Sequence, residues 1–373
     1  MELRPTPEQA LLIDSARAWV ARACPVARVR ELDAAGTYPT GAWRDLWREI
    51  ASLDWASLVL PTEAGGAGAG MLELALVAEA LGEGAVPTPL LTSVTLAALP
   101  LLWAGTAGSI VADLGTGARI GTLALLEPGM RDEWAPVTMP GSIPLRGTKL
   151  LVPWAQAADV LVVATADGLR LVERSAPGVS VTEHDTLGGD PRAAVELDGA
   201  RAVVIEAGDG RDLVLRALDH SAVVQLAYAV GIMRTMLDLS VRHARDREQF
   251  GRPIGTFQAV AHRCAEMRAD VDACRFLAYQ AAWALDNAYP ARIRSRPMGT
   301  SHTAPVAAAL AYAKDAIRRV ARHAHQVHGA IGFSTEHDLH LFSRRAKAFE
   351  LTWGSATLHR EHLAVAMGLR ADS

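Results

Sequence analysis

Cysteine is scarce: Cys24, Cys264 and Cys274 are the only three in 373 residues, with no CxxC and no paired spacing. That argues against a disulfide framework and a thiolate zinc site, and it suits a reducing compartment. Surplus positive charge is also missing. Lys and Arg number 37 against 41 Asp and Glu, a net charge of -4, so a broad phosphate-binding face is excluded and no nucleic acid partner is expected. There is no long apolar run. The most apolar stretch, Val94 to Trp103, is too short to span a bilayer and is interrupted by Pro100. The opening MELRPTPEQA lacks the apolar core of a signal peptide, so the expected location is the cytoplasm. No internal repeat occurs, and no βαβ unit carries a Gly-rich dinucleotide fingerprint.

What is present is an ordinary globular composition, 50% hydrophobic and 21% charged. The length suggests two or three domains. Residues 5–118 read as helices: Thr6 is a candidate N-cap, with Leu11, Ala16, Trp19 and Val20 at helical spacing. Further helices are predicted over Ala42 to Leu53, Met71 to Leu81 and Thr92 to Leu102, with a Gly/Pro loop at Val59 to Gly70. From Arg119 short Val/Leu/Thr runs alternate with Gly, Pro and Asp, the pattern of a small antiparallel β domain ending near Gly210. Helices return over Leu215 to Arg245, Phe257 to Ala288, Ala304 to Val327, Leu339 to Leu351 and Ser355 to Met367, with a loop at Tyr289 to Thr303. The order implies an α+β protein: an N-terminal helical domain (1–118), a central antiparallel β domain (119–212) and a C-terminal four-helix bundle (213–373).

Two segments carry chemistry. In Arg247-Glu248-Gln249-Phe250-Gly251-Arg252-Pro253-Ile254-Gly255-Thr256-Phe257-Gln258 a long helix ends, a tight turn follows and a new helix opens. Arg247 offers a fixed fork of donors suited to a phosphate, the free amides of a helix start can take an anion, and Phe250 can cover a flat ring. A structural turn explains the same residues. Gln326-Val-His-Gly329-Ala-Ile-Gly332-Phe333 places two glycines after a helix, which permits close backbone approach of a ligand or simply caps the helix.

In this order, and flanking a helix–β–helix layout, the two segments resemble those of the acyl-CoA dehydrogenase family. Further matches are Leu60-Pro61-Thr-Glu63-Ala-Gly65-Gly66-Ala-Gly68, Glu79-Ala-Leu-Gly82, Glu127-Pro128-Gly129, Gly147-Thr-Lys149 and Arg345-Ala346-Lys347. The resemblance implies a three-domain subunit that binds FAD between the β domain and the bundle. It also implies conversion of an acyl-CoA thioester to the 2-enoyl-CoA by a Glu base and flavin, with an electron-transfer flavoprotein as acceptor. It implies that FAD is shared across a subunit interface. By that resemblance Arg247 reaches the pyrophosphate, Gln249 and Phe250 contact the ADP part, Ile254 packs on it and Gln258 bonds it. Gln326 and the backbone at Gly329 and Ala330 close that end, with Ala330 replacing a family glycine.

The other half of the pattern is broken. Trp353 stands where the catalytic Glu is expected, and an indole cannot accept the proton. The alternative base position, on the helix before Arg247, holds Ser221, followed by Ala222 in place of an Arg. Leu151 and Pro153 replace the Trp and Thr that would face the flavin, and Met130-Arg131-Asp132-Glu133 replaces a hydroxyl-rich turn. The expectation is a non-catalytic subunit of an α2β2 enzyme, with no catalytic residue of its own. It would lend the ADP end to a homologous catalytic partner that binds the acyl-CoA, and the resemblance suggests steroid side-chain breakdown as the setting. Two alternatives stand beside it: a self-sufficient homo-oligomer with a displaced base such as Glu350, and a FAD-free scaffold. Asp219 matches a position near the CoA, and His220 reads as a helix-start residue. His323, His325 and His328 lack an evident third ligand or carboxylate, so no metal is expected.

Overall fold

The computed structural model describes residues 5–35, 41–105, 109–135, 137–205, 210–288 and 304–369. Helix α1 (Pro7–Ala23) starts at a reciprocal capping box: Thr6 Oγ1 accepts from the Gln9 amide at 3.2 Å, and Gln9 Oε1 accepts from the Thr6 amide at 3.0 Å. Helices α2 (Val26–Ala34), α3 (Gly41–Ala51) and α4 (Met71–Glu83) follow. The start of α4 is capped from far away, since the Asp286 carboxylate accepts from the Met71 amide at 2.8 Å. Helical backbone then runs from Leu90 to Trp103 as α5 (Leu90–Ser93), a π turn over Val94–Ala98 and α6 (Leu99–Trp103). The π turn explains how a helix passes Pro100. Proline has no N–H to offer and its ring crowds the preceding carbonyls, so the chain widens by one residue, with the Leu99 amide bonded to the Val94 carbonyl. Helix α7 (Ser109–Gly115) ends this region.

Seven strands follow in two sheets: β1 (Gly121–Ala124), β2 (Leu145–Pro153), β3 (Val160–Thr165), β4 (Gly168–Glu173), β5 (Val179–His184), β6 (Arg192–Ala200) and β7 (Val203–Ile205). One sheet has the order β1-β3-β4-β7 and the other β2-β6-β5. The pairing is antiparallel except between β1 and β3, which are parallel. The antiparallel expectation holds, with this one pair as the exception. Between β1 and β3 the chain passes through the second sheet, which gives it the long crossover a parallel pair requires.

Two of the motifs noted in the sequence meet here. Lys149 is fully buried and its Nζ lies 2.7 Å from Glu127 Oε1. Glu127 also accepts from the Thr138 amide, the Thr138 hydroxyl and the Met139 amide at 2.6–3.0 Å. Burial alone would raise the Glu127 carboxyl. The bonds from Lys149, Thr138 and Met139 outweigh it and hold the carboxyl at about 2, below its ordinary 4.5. Burial pulls the Lys149 ammonium below its ordinary value against the pull of Glu127. This pair ties the loop after β1 to strand β2.

The C-terminal region is built on α8 (Gly210–Asp246), 37 residues and so about 55 Å long. A two-residue hairpin, β8 (Glu248–Gln249) with β9 (Arg252–Pro253), leads to α9 (Gln258–Ala288). Helices α10 (Ala304–His328), α11 (Leu339–Leu351) and α12 (Ala356–Ala366) complete the layout. The loop predicted at Tyr289 to Thr303 lies outside the described residues. Helix α8 is long and apolar enough to cross a bilayer by length and composition, which corrects the expectation of no long apolar run. However, 67% of its apolar window is buried among its neighbours, as in the core helix of a bundle.

Helix α4 crosses α8 at two glycines. A Cβ on Gly82 would lie 1.9 Å from the Tyr228 carbonyl oxygen, and one on Gly231 would lie 2.1 Å from the Glu79 carbonyl oxygen. The helices therefore touch backbone to backbone. Ion pairs tie α2 to the C-terminal region. Asp33 takes both Arg345 nitrogens at 2.8 and 3.0 Å, and Arg30 meets Asp338 at 2.5 Å.

The sign of the Glu127 shift sets an acid limit. Because the folded carboxyl is held below 4.5, its contribution is complete above about pH 4.5 and is lost as the pH falls toward 2. Glu127→Gln is expected to be less stable than the parent at pH 7, with the gap narrowing through that window. Urea titrations at several pH values would check this, and a pH-independent gap would refute it.

Candidate functional site

The sequence-predicted residues fall into two places of opposite character. One is an open end of the helical bundle. Arg247 closes α8, and its carbonyl accepts from the Ile254 amide at 2.8 Å, which shuts the base of the β8–β9 hairpin. Phe250 and Gly251 form its tip with φ of +53° and +75°, the left-handed pair of a tight hairpin turn. Glycine adopts that conformation freely, whereas a phenylalanine is strained in it. The Phe250 ring is also 91% exposed, so it is held out at a cost with little burial in return. Behind it Phe257 meets Phe250 edge to face at 6.0 Å, and the Arg252 guanidinium lies 4.2 Å above Phe257.

The second motif arrives at the same end. His243, one turn before Arg247, stacks on His328 at 4.7 Å, and His328 immediately precedes Gly329. Burial pulls His328 down to about 4, and it lowers His243 as well, so the rings face each other uncharged at neutral pH. Gly329 has φ +64°, and a Cβ there, as at Gly251, would meet nothing within 4 Å. Arg247, Gln249, Gln258, Gln326, Gly329 and Ala330 are exposed, and Ile254 is half-buried. This end offers a guanidinium, amide side chains and an accessible glycine backbone without obstruction, and it fits the phosphate-bearing part of a dinucleotide.

The other place is closed. Trp353 is buried, with φ +62°. Its amide donates to Glu133 Oε1 at 3.0 Å and its carbonyl accepts from His359 Nε2. Lys314, fully enclosed in α10, donates to the carbonyls of Phe349 and Thr352 at the end of α11, with its Nζ 4.2 Å above the Phe349 ring. Burial brings the Lys314 ammonium down to about 7 against the charges of Glu133 and Glu350. Trp134 packs edge-on against Trp353 at 6.5 Å and His359 at 5.4 Å.

Trp353, Pro153 and Arg192 stand on the boundary of two cavities and line both. One is an open cleft of about 750 Å³ walled by Pro87, Leu91, Gln225, Tyr228 and Phe349. The other, of about 350 Å³, is lined by Leu96, Leu125, Leu150, Leu151, Leu218 and Glu133. A bulge in β2 between Lys149 and Val152 turns Leu151 outward at φ +49°. Beside polar groups such as Thr88, Thr92, Arg192 and Thr352, the residues at the boundary are a proline without an N–H and an indole. At Leu151 and Pro153 they do not offer the ring of a flavin the hydroxyl and backbone donor expected there.

The remaining candidates are not assembled into a base. Ser221 is fully buried on α8 and its hydroxyl has no hydrogen-bond partner. Asp219 is fully buried, and His220 Nδ1 sits 2.7 Å from the Arg216 carbonyl with its ring 4.8 Å from Trp103. Glu350 pairs with Lys347 at 3.0 Å and lines neither of these two cavities. His323 faces Arg263 and Glu266, His325 stacks on Phe333 and His328 on His243, so the three rings serve different neighbours. Sequence reasoning missed Lys314, Trp134 and the role of Glu133. Lys314 had a signal, being a lone cation in the alanine-rich face of α10.

Comparison with known proteins follows the same outline. A model described as the acyl-CoA dehydrogenase N-terminal domain matches residues 6–108, and one described as the C-terminal domain matches residues 208–368. Acyl-CoA dehydrogenase FadE27 of Mycobacterium tuberculosis is 35% identical over 328 residues, covering 84% of this chain and 85% of the relative. Acyl-CoA dehydrogenase IpdE2 of Mycolicibacterium smegmatis is 31% identical over 314 residues, covering 83% and 82%. Among solved structures, a chain of the ChsE4-ChsE5 complex from Mycobacterium tuberculosis superposes with a TM-score of 0.85 at 30% identity, covering 99% of this chain and 100% of that one. The Tcur3481-Tcur3483 steroid ACAD gives 0.84 at 28%, covering 97% and 98%. On the identity and coverage of these relatives and the matches at both ends, this chain belongs to the acyl-CoA dehydrogenase family.

Proposed function

We propose that this chain is the non-catalytic subunit of a heteromeric acyl-CoA dehydrogenase. It would hold the ADP end of an FAD whose reactive ring sits in a homologous partner. The observation that carries this reading is Trp353: the place of the base is filled by a buried indole whose backbone is bonded on both sides. The open end supports the complementary role, with Arg247 placed for the pyrophosphate and Gln249, Phe250, Ile254, Gln258, Gln326, Gly329 and Ala330 around the nucleotide. When bound, FAD supplies the hydride acceptor for oxidation of an acyl-CoA thioester to its enoyl form. The partner would supply the base, the flavin pocket and the thioester channel, and an electron-transfer flavoprotein would take the electrons. Likeness to the Tcur3481-Tcur3483 steroid ACAD supports a bulky steroid-derived thioester as the partner's substrate. A self-sufficient enzyme using Glu350 is disfavoured because that carboxylate is paired with Lys347 and lines neither cavity.

Co-purification with the homologous partner tests the reading. One FAD per pair of unlike chains is expected, and this chain alone should be colourless and inactive. Two FAD per pair, or activity of this chain alone, would overturn it. Loss of a charged hydrogen bond costs about 1.5–3 kcal/mol, so Arg247→Ala should weaken FAD retention by about 10- to 150-fold.

Phe250 gives a test with two opposed readouts. Asparagine tolerates the left-handed conformation that costs an ordinary residue about 1–2 kcal/mol. Phe250→Asn should therefore raise the melting temperature while lowering FAD retention in the complex. A variant that is more stable and keeps its FAD would show that the ring does not serve the cofactor.

A further inference from the structure

The segment Asp132-Glu133-Trp134 lies 220 residues from Trp353, yet each of its residues contributes to holding that indole. The Asp132 carboxylate accepts from the Trp134 amide at 2.9 Å and fixes the turn. Glu133 takes the Trp353 N–H at 3.0 Å. Trp134 packs edge-on against both Trp353 and His359, whose ring bonds the Trp353 carbonyl. On the far side Lys314 holds the Thr352 carbonyl, so consecutive peptide groups around Trp353 are tied to three different elements.

These ties answer a strain. A tryptophan at φ +62° is a costly conformation that persists only where its surroundings over-determine it. Gly354 follows at φ +71°, and a Cβ there would lie 2.7 Å from Leu358, so the backbone continues the turn where only a glycine fits. Trp353 is also one of three residues shared by the two cavities, standing at the neck between them.

We propose that Asp132-Glu133-Trp134 is a positioning latch that keeps the Trp353 indole across this neck, so that the two clefts stay separate. The inference rests on the subunit reading above, since only a chain without its own flavin ring can keep that neck shut. Glu133 is the fastening residue: its carboxylate is the acceptor for the Trp353 amide. Releasing it lets the indole leave the strained conformation and joins the clefts into one deeper cavity with a mixed polar and apolar lining. Such a cavity would enclose more of an amphipathic chain with an acidic head than either cleft does alone.

The test uses the full chain and a dansyl-labelled fatty acid as the probe, with affinity read by fluorescence titration. Trp353→Ala should bind the probe about tenfold more tightly than the parent, a difference of about 1.4 kcal/mol. Glu133→Ala should do the same, whereas Glu133→Gln, whose amide oxygen can still accept, should behave as the parent. Asp132→Ala, which removes the acceptor for the Trp134 amide from a half-buried turn, should move in the same direction by a smaller amount. Unchanged probe affinity in Trp353→Ala would overturn the partition. A gain in Trp353→Ala with parental behaviour in Glu133→Ala and Asp132→Ala would overturn the latch and leave packing alone. Flavin counted in the parent complex separates the two readings. Two FAD per unlike pair would overturn the subunit assignment, and one FAD with unaltered probe binding in Glu133→Ala would overturn the latch alone.

Discussion

The backbone contact of α4 with α8 at Gly82 and Gly231 is the constraint on which the geometry of both sites depends. Helix α8 is a single rod. Its middle presents Gln225, Tyr228 and Ile232 to the open cleft, and its end carries Arg247. Because side chains are absent at the crossing, the rod can rest directly on α4 and through it on the N-terminal helices. Any shift of that rod would move the cleft wall and the arginine together. The cleft and the open end of the bundle thus draw on the middle and the end of one stiff element.

Backbone strain marks both ends. Among the described residues six non-glycine positions have positive φ: Asp54, Ala85, Leu151, Trp154, Phe250 and Trp353. Leu151, Trp154 and Trp353 gather around the clefts, and Phe250 tips the exposed hairpin. Strain of this kind is retained only where surrounding contacts impose it. At the closed place the contacts are hydrogen bonds and aromatic packing. At the open place the ring meets Phe257 on one side and is otherwise largely exposed.

Much of this was legible from the residues in order. Thr6 announced α1, the glycine and proline content of Val59 to Gly70 announced a loop, and helix limits in the C-terminal region fell within a few residues of those expected. The reason is physical, because caps and apolar periodicity act over one or two turns. The parallel pairing of β1 with β3 was not legible, since strand order is decided by the crossover and not by either strand. The passage of helix through Pro100 was hidden for a related reason, as the compensating π turn has no composition of its own. At the site, replacement of expected polar groups by Trp353 and Pro153 was visible residue by residue. The bond from Trp353 to Glu133 was not, because it joins segments 220 positions apart.

The pairing of Asp33 with Arg345 has a bearing on how such a chain can change over time. Arg345 is buried beside the cleft, and its counter-charge comes from a helix near the start of the sequence. An unpaired guanidinium there would be costly to bury. The leading helices cannot be lost without stranding that charge, so the lining of the cleft can be remodelled only while the whole body is inherited intact.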